Sequence, residues 1–182
     1  MARICPPSHA WILRNPLRKL FSNRPGILEA AGIDSGSVVL EVGAGNGFFT
    51  EIIARTARKV IAVELQEDMA EKLYKALEGV LPNSPIEIRV ADIATIRLAP
   101  RSVDVAFLYY SFHEILEQET AASNIARTLK VGGRLAVYEP VIEVKEDAMA
   151  RTVSIFEQRG FVTTDSGKSI FTRWAIMRKE AD

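Results

Sequence analysis

Gly43-Ala44-Gly45-Asn46-Gly47 is the first stretch of this chain whose residue types and spacing could do chemistry. It follows the apolar run Val38-Val39-Leu40-Glu41-Val42, and a loop so rich in glycine lets backbone approach a ligand that a Cβ would push away. Tight strand-to-helix turns also use glycine for purely steric reasons, so the loop gains meaning only from its neighbours. A dinucleotide fingerprint would read G-x-G-x-x-G; here the third glycine comes one residue early and Phe48 stands in the last position, which argues against a nicotinamide cofactor. The next apolar run ends at Glu64, whose two carboxylate oxygens match the vicinal hydroxyls of a ribose. The third ends at Ala91-Asp92-Ile93, where a second carboxylate can accept from an exocyclic amine. An acid at a strand end also has the plain role of meeting water, but a cradle, a diol acceptor and an amine acceptor at three consecutive strand ends describe an adenosine site.

A second set of candidates follows the fourth apolar run, in Tyr109-Tyr110-Ser111-Phe112-His113-Glu114. His113 is one of two histidines, and its ordinary pKa suits proton removal near neutrality; a His that merely bonds Glu114 or caps a turn is the plain alternative. Glu139, before Pro140, and Tyr110 complete the catalytic candidates. No metal site is expected, since Cys5 is the single cysteine and cannot build a thiolate cluster. Gly167-Lys168-Ser169 looks like the end of a phosphate loop, yet Val162 occupies the place of that motif's first glycine.

These residues need elements to hold them, and the apolar pattern supplies them. Short runs at 38–42, 60–64, 86–90, 103–109 and 135–138 predict strands, the first of them buried. Between them lie helical stripes: Phe49, Ile52, Ile53 and Thr56; Met69, Leu73, Ala76, Leu77 and Val80; Ala122, Ile125, Ala126 and Leu129; and Met149, Val153 and Phe156. The end of the chain reads as two β segments, Phe161 to Thr164 and Ile170 to Met177, turning at Asp165-Ser166-Gly167. Strands that alternate with helices and are apolar on both faces predict a doubly wound α/β domain with a mostly parallel sheet. In such sheets a ligand sits outside the carboxyl ends of the strands, where the candidates fall.

At 182 residues the chain is expected to be a single domain. Twenty-three basic residues balance 23 acidic ones, so no net charge draws it to nucleic acid or to an acidic membrane. No apolar run approaches the ~20 residues of a membrane span, and the lone cysteine fits a reducing, cytoplasmic setting. Locally, Arg3, Arg14, Arg18, Lys19 and Arg24 precede the first acid, Glu29, with Trp11, Leu17 and Phe21 among them. A basic amphipathic helix packed on the domain is expected there, rather than a targeting peptide interrupted by Pro6, Pro7, Pro16 and Pro25.

Taken together, 38–47, Glu64, Ala91-Asp92 and Leu129-Lys130-Val131-Gly132-Gly133-Arg134-Leu135 resemble the class I S-adenosylmethionine-dependent methyltransferases over about residues 36–140. The resemblance implies a Rossmann-like, seven-stranded sheet of order 3-2-1-4-5-7-6 with only strand 7 antiparallel. It implies S-adenosyl-L-methionine as cofactor, with Gly43, Ala44, Gly45, Asn46 and Gly47 around its methionine part and Glu41 organising that loop and the amino group. Glu64 and Leu65 would hold the ribose side, Asp92 and the Ile93 backbone the adenine, and Tyr109 a further cofactor contact. The motif by which adenine and glutamine N-methylating members hold a planar nitrogen is missing after strand four, as are the Pro-Cys nucleophile of cytosine C5 enzymes and the several cysteines of arsenite enzymes. His9-Ala10-Trp11 and Asn15-Pro16-Leu17-Arg18 resemble small microbial methyltransferases of the quinone-biosynthesis type, which implies that residues 1–35 form a helical lid, 36–140 the cofactor core and 141–182 a closing helix and β hairpin. A cytoplasmic methyltransferase acting on a small, partly apolar molecule is expected, with O- or C-methylation if His113 is a base. Its rivals are an RNA methyltransferase using the basic N-terminal segment and a non-catalytic cofactor-binding partner subunit; monomer and homodimer both stay open.

Overall fold

Valine, isoleucine and leucine fill both faces of the central strands, so each must be covered on two sides, and the chain answers with helices between strands. The computed structural model describes residues 23–78 and 85–182. In order these are α1 (Arg24–Ala31), β1 (Val38–Val42), α2 (Thr50–Thr56), β2 (Lys59–Glu64), α3 (Glu67–Leu77), β3 (Ile86–Val90), β4 (Val103–Tyr109), a 3-10 turn (Phe112–Glu114), α4 (Gln118–Thr128), β5 (Leu129–Pro140), α5 (Glu146–Glu157), β6 (Phe161–Lys168) and β7 (Thr172–Lys179). The strands form one sheet in the order β3-β2-β1-β4-β5-β7-β6. Only β7 runs antiparallel to its neighbours. Both the order and the direction agree with the expectation.

One face of the sheet packs under α1, α2 and α3 through Leu28, Phe49, Ile53 and Leu73 against Val39, Phe107 and Tyr138. The other packs under α4 and α5 through Ala122, Ile125, Met149 and Phe156 against Leu40, Leu135 and Val137. The described part of the expected lid, α1, packs on the sheet, with Leu28 and Ala31 buried and Ile27 O accepting from the Tyr138 hydroxyl. Readings on Arg3, Trp11, Arg14, Arg18, Lys19, Phe21 and Val80 fall outside the described residues.

The expected turn at Asp165-Ser166-Gly167 is not one. These residues continue β6 and pair with Ile176, Ala175 and Trp174 of β7, and the connection falls at residues 169–171. The residue types serve cross-strand packing instead: Trp174 Nε1 donates to Asp165 Oδ2 at 2.9 Å, and its ring lies where a Cβ on Gly167 would stand, 2.4 Å from Cζ2. An indole laid across a strand requires a residue without a side chain beneath it. Strand β5 also begins earlier than expected, at Leu129. Its register against β4 then jumps between Val103 and Val105, so Lys130 to Gly133 bulge out of the ladder.

Candidate functional site

The carboxyl ends of β1, β2, β3, β4 and β5 meet along one edge, and backbone hydrogen bonds tie the loops there together. Gly43 N and Ala44 N donate to Val63 O, Ala91 N donates to Glu64 O at 2.9 Å, and Tyr110 N donates to Tyr138 O at 2.7 Å. The edge therefore brings together the glycine loop, Glu64, Asp92 and the segment after β4.

The three loop glycines answer different needs. Gly43 has φ +73, and a Cβ there would meet Ser111 Cβ at 2.5 Å; Gly47 has φ +86, and a Cβ would meet Leu73 Cδ1 at 2.8 Å. Gly45 also has positive φ, +56, but a Cβ would find only Met69 Cε, at 3.7 Å. So Gly43 and Gly47 are demanded by packing within the protein, whereas Gly45 leaves open space for a ligand. Gly45→Ala is accordingly expected to lower stability by only about 1 kcal/mol, the usual strain of a left-handed residue, while weakening cofactor binding far more. Thermal melts and calorimetry on one preparation check this.

Four of the five loop amides are already engaged: Gly43 and Ala44 on Val63 O, Gly47 on Ala44 O, and Gly45 on Glu64 Oε2 at 2.8 Å. Glu64 Oε1 accepts from Gln66 N at 2.9 Å. A loop whose amides point inward, beside two buried carboxylates, is a poor cradle for pyrophosphate, which removes the dinucleotide alternative on chemical grounds. Each Glu64 oxygen keeps capacity for another donor, so a ribose diol can still bind.

Glu41 is buried on β1 between Ala62 and Phe107, and its Oε2 has no hydrogen-bond partner among the described residues. Burial pushes its carboxyl up to about 8; the nearby Thr50 hydroxyl, too loosely placed to form a bond, pulls it down, and the Glu64 charge adds to the rise. A buried, orphaned carboxyl at the glycine loop is suited to a cationic group arriving from outside. Next to Glu64, Leu65 exposes 60% of its surface, an apolar face at the end of β2. Asp92 uses Oδ1 to accept from Ala94 N at 2.8 Å, the plain turn-capping role, and keeps Oδ2 without a bond among the described residues. Ile93 is buried, and its carbonyl accepts from Asn124 Nδ2.

After β4 the chain makes an unusual bend. Tyr110, a non-glycine residue, takes φ 59, a conformation that costs about 1–2 kcal/mol and is held by its surroundings. Its ring stacks on Tyr109, centroids 4.3 Å apart, and its hydroxyl lies 2.5 Å from Thr172 Oγ1 and donates to Phe171 O. Tyr109 stands among Phe48, Phe49, Phe107 and Tyr138. The bend also brings Ser111 onto Gly43, its Oγ donating to Val42 O at 2.8 Å.

The 3-10 turn then presents His113 to two carboxylates. Nδ1 lies 2.6 Å from Glu139 Oε2, Nε2 lies 3.1 Å from Glu143 Oε2, and the His113 amide donates to Glu139 Oε1. A carboxylate at each ring nitrogen favours the imidazolium, in which both nitrogens donate. Burial pulls its pKa down, but the Glu139 hydrogen bond and charge, with Glu114 and Glu143, outweigh it and raise it to about 9. Glu114 is raised chiefly by burial, opposed by His113 and supported by the charges of Glu143, Glu139 and Glu64.

Sequence reasoning reached His113, Glu139 and Tyr110 but not Glu143, Thr50, Ser111 or Thr172. Glu143 carried a weak signal, four residues beyond Glu139 in a short strand-to-helix connection; Ser111 and Thr172 carried none. A cleft lined by Pro25, Glu29, Asp34, Thr56 and Arg134 lies elsewhere and includes none of these residues. No cluster of His, Cys, Asp and Glu able to hold a metal occurs among the described residues.

Residues 40–137 match the family model described as a methyltransferase domain, which spans β1 to the middle of β5. The chain belongs to this methyltransferase family. S-adenosylmethionine is its cofactor, and the orphaned Glu41 oxygen, the open Gly45 and the Glu64 carboxylate fit it. Among relatives, the methyltransferase is 26% identical over 166 residues to an uncharacterized methyltransferase of Geobacillus sp. strain WCH70, covering 89% of this chain and 75% of that one. It is 41% identical over 81 residues to a dimethyladenosine transferase of Candida glabrata, covering 44% of this chain and 24% of that protein. A SAM-dependent methyltransferase from Aquifex aeolicus has the same fold at a TM-score of 0.83 and 21% identity, covering 95% of this chain and 98% of its own. The chain thus spans three quarters of the first relative's length and about a quarter of the second's.

Proposed function

We propose that this methyltransferase moves the methyl group of S-adenosylmethionine, in line, onto a small-molecule acceptor held at the ends of β4 and β5. The observation that carries the reading is the His113–Glu139–Glu143 cluster, a polar anchor at the ends of β4 and β5 flanked by short connections. The cofactor supplies an electrophilic methyl group, and in-line transfer then depends mainly on positioning and on exclusion of water. On this reading Gly45 and Glu64 place the cofactor, with Leu65, Asp92, Ile93 and Tyr109 around its adenosine end. Tyr110, tied to Thr172, shapes the floor between the two ligands. His113, charged at neutral pH, donates there instead of accepting a proton, so a preference for O- or C-methylation no longer rests on it as a base.

Labelled methyl transfer into fractionated pools tests the reading: label is expected in the small-molecule fraction, and label confined to RNA contradicts it. The RNA alternative is favoured by a similarity to a ribosomal RNA small subunit methyltransferase A of Leuconostoc citreum, a match confined to 41% of this chain. Against it, Arg24, the one described member of the basic set, is held inward by Phe48, its Nη1 donating to Phe48 O at 2.8 Å and its guanidinium 5.2 Å from the ring centroid. A partner subunit that binds the cofactor without transferring it leaves label in neither pool. No helix among the described residues is long and apolar enough to cross a membrane. A cytoplasmic, single-domain enzyme goes with this reading, and cell fractionation checks the first half of that.

Glu41 yields a further expectation. With its carboxyl raised to about 8, it is mostly protonated at pH 7, and a cationic group bound beside it drives the proton off. Binding of S-adenosylmethionine at pH 7 is expected to release up to one proton, read by calorimetry in buffers of different ionisation enthalpy. Glu41→Gln removes that release.

A further inference from the structure

We propose that the methyl acceptor carries an anionic oxygen, a carboxylate or a phenolate, which binds the outward Nε2–H of His113 in the place now held by Glu143. This deepens the small-molecule reading and rests on it. The two partners of His113 are unequal. Glu139 is buried to 1% exposure and grips both the ring and the amide of His113, so it is a fixed part of the protein. Glu143 is 55% exposed, on the connection from β5 to α5, and an exposed ion pair of this kind contributes about 0–1 kcal/mol. It is a carboxylate that can leave, seated on a donor that stays.

The surroundings favour an acid over an amine. Glu139 and His113 together are neutral, so removing Glu143 exposes a donor rather than a negative charge. Glu114, on the same turn, is held toward its neutral form by burial. Arg173 of β7 lies directly across the ladder from Glu139, on the same face of the sheet. Its Nε is buried with no acceptor among the described residues, and its Nη1 meets only Glu146 of α5, at 3.9 Å. That Nε is a second cationic donor, on the strand position paired with Glu139, and it suits an anion. An amine would face the imidazolium with Glu143 as its sole strong partner.

The rim adds an apolar body to that acid. Ile142, Ile170 and Phe171 are 86, 81 and 74% exposed, and Val141 N donates to Phe171 O, which sets the two connections side by side. Three large apolar side chains at one edge form a surface for an aromatic or aliphatic acceptor. An acceptor oxygen that arrives ionised also needs no general base, which agrees with a histidine already carrying its proton.

The test uses the chain loaded with S-adenosylhomocysteine, labelled with 15N in its two histidine rings, with His9→Gln to assign them. Sodium benzoate, benzylamine and benzyl alcohol are titrated separately at constant ionic strength. Benzoate is expected to shift the His113 ring signals saturably and more tightly than the other two. Glu143→Gln, a change at an exposed side chain, is expected to tighten benzoate roughly three- to tenfold by removing the competing carboxylate. Tighter binding of benzylamine, no saturable response to benzoate, or unchanged benzoate affinity in Glu143→Gln overturns the proposal. Calorimetry of S-adenosylhomocysteine on the same samples separates the levels: with binding intact, those outcomes overturn the acid anchor alone, whereas loss of binding overturns the methyltransferase reading beneath it.

Discussion

Glu64→Ala is expected to weaken S-adenosylhomocysteine binding by roughly 30- to 1000-fold in calorimetry, about 2–4 kcal/mol. Each hydrogen bond to a charged carboxylate contributes about 1.5–3 kcal/mol, and Glu64 has two oxygens for a diol. The same oxygens accept from Gly45 N and Gln66 N, so the alanine variant also loosens the glycine loop. Melting temperatures of Glu64→Ala and Glu64→Gln, read beside the affinities, separate the two effects. An amide keeps the side chain's length and one acceptor but turns an NH2 group toward either Gly45 N–H or Gln66 N–H, whereas a role confined to holding the loop would lower the melting temperature without a matching loss of ligand. Unchanged affinity in both variants contradicts the placement of the ribose.

Glu139→Gln is expected to lower kcat/KM for methyl transfer about a hundredfold while leaving S-adenosylhomocysteine affinity within about twofold. Glu139 meets His113 and not the glycine loop, so cofactor binding does not depend on it. With the negative partner gone, the His113 pKa falls from about 9 toward its ordinary 6.5. Stability carries the same signature. A histidine whose folded pKa is raised makes its full contribution below pH 6.5 and loses it as pH rises through about 9, because the folded state holds a proton that the unfolded state has released. The wild-type chain should therefore lose stability between pH 6.5 and 9, and Glu139→Gln should flatten that slope, as read by chemical denaturation at several pH values.

Much of the fold was legible because β1, β2 and β4 are runs of apolar residues, with Gly43 closing β1 and Pro85 opening β3. The expected limits 38–42, 86–90 and 103–109 coincide with β1, β3 and β4. The tail was misread because Asp, Ser and Gly in a row serve turns and also serve to pass a strand under an indole, and only the position of Trp174 distinguishes the two. At the site, residues at the ends of predictable strands could be placed in advance: Glu64, Asp92 and Glu139 each close a strand or follow one directly. The protonation of His113 was not legible, since it arises chiefly from the hydrogen bond and charge of Glu139, buried against the ring from a distant strand, with Glu114 and Glu143 adding to it. The separate duties of Gly43, Gly45 and Gly47 were likewise hidden, because Ser111 and Leu73, which set two of them, are far away in the chain.

A crystal structure of the chain with S-adenosylhomocysteine tests the central claim most directly. The account predicts the ribose hydroxyls on Glu64, the adenine beside Asp92 and Ile93, the amino acid end over Gly45 toward Glu41, and the sulfur facing the mouth where His113 stands. A ligand bound elsewhere, such as in the cleft beside Arg134, or one whose sulfur faces away from His113 and Glu139, would contradict it.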